Sequence, residues 1–242
     1  QQLSELGAAV LEAPTIALVP PASWQPVDEA LRQVHDYDWL VLTSANGVDA
    51  VAERLRAVGL DARALAGVRV AAIGDATAAA IESRLAIRPD LVPTRFVAES
   101  LAAELIAKED VTGKRMLLMR ADIARPALPR LLTEAGAQVN EVVAYETKLA
   151  DALPEDVLLA LRAGEVDWVT FTSSSTAMNM VTLLGDERDL LKRTRIASIG
   201  SITSQTIRDL GYDVALEAEK SDIEGLVAAL AQVSEPGEKA PR

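Results

Sequence analysis

Cysteine is absent from the sequence, and His35 is its only histidine. Without cysteine the chain can form neither disulfides nor thiolate ligands, and one imidazole cannot by itself build a histidine metal site or a Ser-His-Asp triad. We therefore expect neither a metal centre nor triad chemistry. A cysteine-free chain is compatible with a reducing compartment, and we expect a cytoplasmic protein.

Aromatic residues are also scarce, at 3% of 242 residues, and the net charge is −12. Nucleic-acid binding normally uses a basic surface and stacking aromatics, so no nucleic-acid partner is expected. No apolar run approaches the ~20 residues that a membrane-spanning helix needs. Alanine, valine, leucine and isoleucine supply the interior instead, a composition typical of helices packed on both faces of a parallel sheet.

The common cofactor and nucleophile motifs are missing as well. The sequence has no G-x-G-x-x-G after a strand-like run, no G-x-x-x-x-G-K-[ST] and no G-x-S-x-G. Neighbouring carboxylates, such as Asp36 and Asp38, are expected to be solvated surface groups on so acidic a chain. A cofactor of the common nucleotide kinds is therefore not indicated.

What the sequence does contain is an internal repeat. DWLVLTSANGVDAV (38–51) returns as DWVTFTSSSTAMNMV (167–181), VRVAAIGDATAAAIESRL (68–85) as TRIASIGSITSQTIRDL (194–210), and LSELGAAVLEAPTIAL (3–18) as LLTEAGAQVNEVVAYET (131–147). The offsets range only from 125, between Leu101 and Leu226, to 129, between Trp39 and Trp168. Such a repeat predicts two similar domains made by duplication, and ligands preferentially bind in clefts between domains.

Strand-like and helical patterns alternate along both copies, which predicts parallel β-α-β units. Strands are predicted at 9–11, 39–43, 69–73, 116–119, 141–145, 168–172, 196–199 and 213–216. Helices are predicted at 47–57, 76–85, 100–107, 128–135, 175–184, 201–210 and 223–233. We therefore predict an α/β protein with two similar, flavodoxin-like domains. Each has a parallel sheet flanked by helices, and a two-stranded hinge joins them.

Two connector segments set the predicted domain limits. Domain one comprises 1–18 and 155–233, domain two (27–147) is inserted in its middle, and 19–26 and 148–154 are interdomain linkers. Judged by the later copy of the repeat, domain one is expected to lack an N-terminal strand that would precede Gln1. The polar segment 234–242, with two prolines, is predicted to be a disordered tail.

Four loops of the repeat place small residues and hydroxyls between a strand and a helix: LTSANG (42–47), IGDAT (73–77), FTSSST (171–176) and IGSIT (199–203). Free N–H groups and the helix dipole at such positions favour an anionic ligand, and open α/β sheets bind ligands at the carboxyl ends of their strands. For any one loop, simple capping of the helix is the alternative. The candidate ligand-binding residues are Thr43, Ser44, Asn46, Gly74, Thr77, Thr172, Ser173, Ser174, Gly200 and Thr203.

Tyr145 stands where the earlier copy of the repeat has Ile16, beside a predicted connector. A tyrosine is a neutral donor at pH 7 and can act as a general acid against a leaving group. The alternative is a half-buried aromatic with its hydroxyl in water. Arg120 and Arg125, beside the end of a predicted strand, suit bidentate contacts to carboxylates. We select Arg120 and expect Arg125, which precedes Pro126, to be surface charge.

These features together resemble the uroporphyrinogen-III synthase family over essentially the whole chain. The resemblance rests on LTSAN (42–46), FTSSS (171–175), the IG-x-x-T loops ending at Thr77 and Thr203, and the segments 118–147 and 218–230. It implies two α/β domains with the active site between them, and a cofactor-free lyase of porphyrin and heme biosynthesis. The implied substrate is hydroxymethylbilane, a linear tetrapyrrole with eight carboxylates. It loses water and closes with inversion of ring D to give uroporphyrinogen III.

Carried to this sequence, the resemblance makes Tyr145 the group that assists departure of the hydroxyl, while the serine and threonine loops hold carboxylates. A monomer is expected, with hydroxymethylbilane synthase as a transient partner at most. An acidic protein must then bind a polyanion against long-range repulsion, so helix dipoles at the loops have to compensate locally.

Two other functions fit the duplication. A non-enzymatic two-domain binding protein that closes on a small anionic ligand would explain the hinge and the anion loops without Tyr145. A pair of flavodoxin-like regulatory receivers would need an acidic cluster at the strand ends, where Thr43, Ser44 and Thr172 stand instead.

Overall fold

The computed structural model describes residues 1–233, and the predicted tail at 234–242 lies outside them. The strands are β1 (Ile16–Val19), β2 (Trp39–Leu42), β3 (Arg69–Ala72), β4 (Arg115–Ala121), β5 (Gln138–Leu149), β6 (Trp168–Phe171), β7 (Arg195–Ser198) and β8 (Leu216–Glu217). The α-helices are α1 (Gln2–Glu5), α2 (Gln25–Arg32), α3 (Ala45–Ala57), α4 (Asp75–Leu85), α5 (Ala98–Lys108), α6 (Ala127–Glu134), α7 (Glu155–Ala163), α8 (Ser174–Leu184), α9 (Ser201–Asp209) and α10 (Ile223–Val233). Short 3-10 helices lie at Val34–Asp36, Ala62–Leu65 and Gly185–Arg193.

Contacts divide the chain into two compact units. The inserted unit is Leu18–Lys148, and the terminal unit comprises Gln1–Ala17 with the chain from Leu149 onward. The chain passes between the units within β1 and at the end of β5, and these two strands are neighbours in one sheet. The finer domain limits and linkers given above stay predictions.

The inserted unit contains a five-stranded sheet in the order β1-β5-β4-β2-β3. β2 pairs in parallel with both neighbours, with Trp39 opposite Arg69 of β3 and Met116 of β4, and β4 pairs in parallel with β5. All four residues of β2 are fully buried. A strand that is covered on both faces needs such a continuous apolar run.

Helices cover both faces of this sheet, because successive residues of β2 point to opposite sides. Its even-numbered residues pack with Leu31 of α2 and Val51 of α3. Its odd-numbered residues pack with Leu101 of α5 and Leu132 of α6. The carboxyl ends of the strands are left for the connecting loops.

The terminal unit contains a three-stranded parallel sheet in the order β6-β7-β8. Leu161 of α7, Met180 of α8 and Ile207 of α9 form one core. Leu226 of α10 forms another with Ala197 of β7. Parallel strands flanked by helices thus recur in both units, and the predicted α/β fold class is confirmed.

The predicted strand at 9–11 is wrong. Residues 8–15 have no regular secondary structure, and the strand begins only at Ile16. Val10 and Leu11 are exposed, and Pro14 has no N–H to contribute to a sheet. Three apolar residues in a row were too short a signal. The prediction at 213–216 overlaps β8 at Leu216 alone.

The sequence analysis does not predict the helices α2 and α7. α2 begins inside the predicted linker 19–26, and α7 directly follows the predicted linker 148–154. The segment 19–26 contains the last residue of β1 and the start of α2, with Pro26 in the first helical turn. α7 follows Pro154 directly. Proline is tolerated in the first turn because the N–H it lacks would have no partner there. Prolines that suggest a stiff connector therefore also begin helices.

Within residues 1–233, no helix has the length and hydrophobicity that crossing a membrane requires.

Candidate functional site

Candidate residues of the inserted unit gather at the carboxyl ends of its parallel strands. Thr43 directly follows β2, Gly74 lies two residues after β3, and Arg120 is the penultimate residue of β4. Tyr145 of β5 stands opposite Ala121, the last residue of β4. This is the edge at which open α/β sheets bind ligands. Residues far apart in sequence therefore share one edge of the sheet.

The hydroxyls of Ser44 and Tyr145 are hydrogen-bonded at 2.9 Å. Ser44 is the N-cap of α3, and its Oγ also accepts the Gly47 N–H at 3.1 Å. Both hydroxyl side chains are half-buried. Because the cap bond uses only a lone pair of Ser44, this residue keeps a proton and a lone pair for Tyr145. The predicted acid thus lies directly against a predicted anion-binding loop.

Glu146 follows Tyr145 in β5 but faces the opposite side of the strand, since side chains alternate. Its carboxylate accepts the Ala22 N–H at 2.8 Å and lies 3.0 Å from Lys148 Nζ. The hydrogen bond with Lys148, and then the one with Ala22, lower the pKa of the Glu146 carboxyl. Glu146 is therefore ionised at neutral pH and does not compete with Tyr145 as a proton donor.

Thr43 and Arg120 line a depression of about 200 Å³ at this same edge. The lining also includes Phe96 and Val97 from the loop before α5, and Arg125 from the loop after β4. Apolar side chains and two arginine residues therefore line one small surface. Such a combination suits an organic anion that has an apolar body.

Gly74 and Gly200 occupy equivalent places in the repeat but require glycine for different reasons. Gly74 has a φ of +84°, a conformation that side chains rarely adopt. Gly200 is extended, and a Cβ there would overlap the hydroxyl of Ser221. At Gly74 the nearest side chain to an added Cβ is Phe96, which precedes Ser221 by 125 residues, the offset of the repeat.

In the terminal unit, the loops after β6 and β7 contact each other. Ser173 caps α8, and its Oγ accepts the Thr176 N–H at 3.2 Å. Ser174 Oγ donates to the Ile202 carbonyl at 3.4 Å and accepts from Thr206 Oγ1 at 2.7 Å. The structure thus joins the predicted FTSSST and IGSIT loops through side-chain hydrogen bonds.

The remaining candidates differ in exposure. Thr77 and Thr203, in the first turns of α4 and α9, are only 4% and 5% exposed. Asn46 and Thr172 are exposed. Asn46 and Thr172 are therefore each accessible on the surface of their own unit, whereas the hydroxyls of Thr77 and Thr203 are covered. In the part of the chain that is described, no group of three or more His, Cys, Asp or Glu side chains is placed to hold a metal ion.

Phe96 and Arg125 lie at the site although the sequence analysis did not select them. For Phe96, the available signal is the repeat, which matches it to Ser221 in the segment 218–230. For Arg125, the sequence predicts surface charge, because this residue precedes Pro126. That proline is the N-cap of α6, so Arg125 stands between a strand end and a helix start.

Comparisons with known proteins agree with the sequence motifs. The family model described as uroporphyrinogen-III synthase HemD matches residues 1–228. The uroporphyrinogen-III synthase of Synechococcus elongatus is 36% identical over 239 residues, which cover 96% of this chain and 88% of that protein. The uroporphyrinogen-III synthase of Chlorobaculum parvum is 28% identical over 96% of this chain and 92% of its own.

Solved structures share the fold. The uroporphyrinogen-III synthetase of Helicobacter pylori superposes on this chain with a TM-score of 0.59 at 18% sequence identity. The match covers 90% of this chain and 91% of the Helicobacter pylori chain. A mutant uroporphyrinogen III synthase of Thermus thermophilus superposes with a TM-score of 0.55 at 21% sequence identity, and the match covers 97% of this chain and 93% of the Thermus thermophilus chain. The family model covers both copies of the repeat and the loops at their strand ends, and the chain belongs to the uroporphyrinogen-III synthase family.

Proposed function

We propose that this uroporphyrinogen-III synthase cyclises hydroxymethylbilane, with loss of water and inversion of ring D, using Tyr145 as the general acid. The observation that carries the assignment of the acid is the 2.9 Å hydrogen bond between the Tyr145 and Ser44 hydroxyls. It holds the phenol tip at the strand edge where a ligand of this fold binds.

In the first step, Tyr145 donates its proton to the terminal hydroxyl of the substrate. The C–O bond breaks, water leaves, and an azafulvenium cation forms. The substituted inner carbon of ring D attacks its methylene carbon to give a spiro intermediate. The bond from the spiro carbon to the ring C bridge then breaks, and the free α-carbon of ring D bonds to that bridge carbon, which inverts ring D. The proton that is released when the last pyrrole regains aromaticity returns to the Tyr145 oxygen, so the proton count balances.

Ser44 is placed to stabilise the Tyr145 phenolate, which exists from the loss of the Tyr145 proton until a proton returns at the end of the reaction. Its lone pair accepts the Gly47 N–H, which leaves its own proton free to be donated to Tyr145. A hydrogen bond to an ionised oxygen is about twice as strong as a neutral one. Ser44 therefore favours proton release from Tyr145 without being consumed.

The larger part of the catalysis is orientation, because the leaving group departs readily and the intermediate can close unrearranged without the enzyme. Holding ring D so that its substituted carbon is attacked is a task of proximity control. The proposed carboxylate contacts are Thr43, Ser44, Asn46, Gly74, Thr77, Thr172, Ser173, Ser174, Gly200 and Thr203.

A non-enzymatic anion-binding protein is not favoured, because the matching family model and the Synechococcus elongatus relative are both named for the synthase activity. The cytoplasmic location, the monomeric state and the transient association with hydroxymethylbilane synthase stay predictions from the sequence.

The direct test is a coupled assay with freshly generated hydroxymethylbilane, in which the type III and type I products are separated by chromatography. We expect type III product well above the spontaneous background. Type I product alone, from protein shown by circular dichroism to be folded, would contradict the proposal.

We further expect that single alanine substitutions at the hydroxyl loops reduce activity only partly. Thr43→Ala and Ser173→Ala should each lower kcat/KM by about two- to tenfold, since a neutral hydrogen bond contributes roughly 0.5–1.5 kcal/mol. Ser83→Ala is the control, because that exposed hydroxyl bonds only to the Ala80 carbonyl within α4. Complete loss of turnover in a folded single variant would show that binding is not distributed.

A further inference from the structure

The Arg120 guanidinium is occupied by partners within its own unit. It is buried, with the residue only 8% exposed. Nη1 donates to Glu141 Oε2 at 2.8 Å, and Nη2 donates to the backbone carbonyls of Ala124 and Arg125. Both Nη2 protons are therefore committed to the loop that follows β4, and these bonds fix the path of that loop.

Arg125 has the opposite character. Its side chain is 73% exposed, and among the described residues 1–233 it pairs with the Glu99 carboxylate, at 3.9 Å. An exposed ion pair at that distance holds a guanidinium only weakly. Because Arg120 binds the backbone carbonyl of Arg125, the Arg125 backbone is held in place while its guanidinium stays available to a ligand.

The surface beside Arg125 is apolar. Phe96 and Val97, which line the same depression, are 53% and 41% exposed, and Ile123 in the adjoining loop is 68% exposed. A flat apolar ring can pack on such a surface while a carboxylate on that ring reaches the guanidinium, which binds carboxylates bidentately.

We propose that Arg125 binds a substrate carboxylate at this depression, and that Arg120 is a positioning residue that holds the Arg125 loop. The ligand class is an acidic pyrrole, with its ring against Phe96 and Val97. The inference rests on the proposed function and replaces Arg120 with Arg125 as the arginine that contacts substrate.

Steady-state kinetics of type III formation test the assignment. Arg125→Gln should raise KM about tenfold, the effect expected from losing a charge-assisted hydrogen bond at a partly exposed site, with kcat changed less than twofold. Arg125→Lys should recover part of the loss, because it keeps the charge without the bidentate fork. Arg130→Gln is the matched control: Arg130 is an exposed α6 residue paired with Glu134, and its KM should not change.

The positioning role predicts non-additivity. Arg120→Lys keeps a cation but cannot serve Glu141 and both carbonyls, so its KM should also rise. The double variant Arg120→Lys/Arg125→Gln should have the KM of Arg125→Gln alone, since Arg120 acts through Arg125. If Arg120→Lys does not fold, Glu141→Gln can be used instead. Glu141 is half-exposed, and its substitution weakens the hydrogen bond that holds the Arg120 guanidinium, so KM should again rise. A multiplied effect in the double variant, or an unchanged KM for Glu141→Gln where that variant is used, would refute the positioning role.

Calorimetric titration with uroporphyrin III, a stable octacarboxylate, separates this inference from the proposed function. We expect Arg125→Gln to bind this probe about tenfold more weakly than the unsubstituted protein. Equal affinity, or an unchanged KM for Arg125→Gln, overturns the inference while turnover still supports the synthase. If no type III product forms at all, the proposed function fails, and the titration alone decides whether Arg125 binds an acidic tetrapyrrole.

Discussion

Replacing Tyr145 with phenylalanine is expected to lower kcat for type III product about a hundredfold, at the lower end of what general acid catalysis contributes. KM should change little, because the ring stays packed against the core of the inserted unit and only the hydroxyl is lost. With the enzymatic route slowed, spontaneous closure takes a larger share, so the product should shift from type III towards type I. Chromatography of both isomers at several enzyme concentrations measures the shift.

Tyr37→Phe is the matched control for this experiment. Tyr37 is 8% exposed and its hydroxyl accepts a hydrogen bond from Asn140 Nδ2 at 2.6 Å, at the amino end of the same sheet. Losing that bond should cost about 1 kcal/mol of stability and leave turnover unchanged. If Tyr145→Phe retained more than half of the kcat, the acid assignment would be wrong even though the family assignment would stand.

Ser44 variants separate the hydrogen bond to Tyr145 from helix capping. Ser44→Ala removes both and should lose part of the activity together with about 1 kcal/mol of stability. Ser44→Thr keeps a hydroxyl in the cap and should restore most of both properties. Ser173 caps α8 in the same way, and its hydroxyl contacts Ser175 and Thr176 rather than a tyrosine. Its alanine variant therefore reports the stability cost of losing such a cap.

The repeat is the reason why so much of the fold follows from the sequence. Two copies of each strand-loop-helix pattern reinforce one another, so β2, β3, β6 and β7 are predicted to within a residue of their observed limits. A match in the repeat is not sufficient by itself. Residues 9–11 match the start of β5 in the later copy, yet they have no regular secondary structure, and Val10 and Leu11 are exposed.

The site is less accessible to sequence reasoning, because equivalent positions acquire different partners in three dimensions. Gly74 and Gly200 look identical in the repeat, yet one needs its positive φ and the other needs room for Ser221. Arg120 and Arg125 lie five residues apart, and the sequence favours Arg120 as the arginine that binds a carboxylate and Arg125 as surface charge. Only the fold reveals that the first is buried against two carbonyls and the second is exposed.

Trp39 and Trp168 are equivalent in the repeat and differ in the same way. Trp39 is fully buried, and its Nε1 donates to Glu109, which also pairs with Arg69 at 2.6 Å. Arg69 lies over the Trp39 ring at 4.5 Å, and Arg195 lies over the Trp168 ring at 4.4 Å. Within residues 1–233, however, Nε1 of Trp168 has no hydrogen-bond partner. The stacked arginine is common to both copies, whereas the acceptor is found only beside Trp39.

Trp39→Phe should therefore lower the free energy of unfolding by about 2–3 kcal/mol, the sum of a lost hydrogen bond to a charged group and a small cavity. Trp168→Phe removes an indole N–H without such an acceptor and should cost less than about 1 kcal/mol. Urea unfolding followed by circular dichroism measures both variants, and equal losses would contradict the distinction.

The pH dependence of stability gives an independent check on Glu109 as the acceptor of the Trp39 hydrogen bond. Burial acts to raise the pKa of Glu109, but the hydrogen bonds from Trp39 and Arg69 outweigh it and hold that pKa below its ordinary value of 4.5. A carboxyl whose pKa is depressed by folding stabilises the protein above its unfolded pKa, and this contribution is lost as the pH falls through the folded value. Glu109→Gln should therefore destabilise the protein at pH 7 and converge in stability with the unsubstituted protein as the pH falls below 4.5 and through the folded pKa of Glu109. Its effect should also be less than additive with Trp39→Phe, because both variants break the same hydrogen bond.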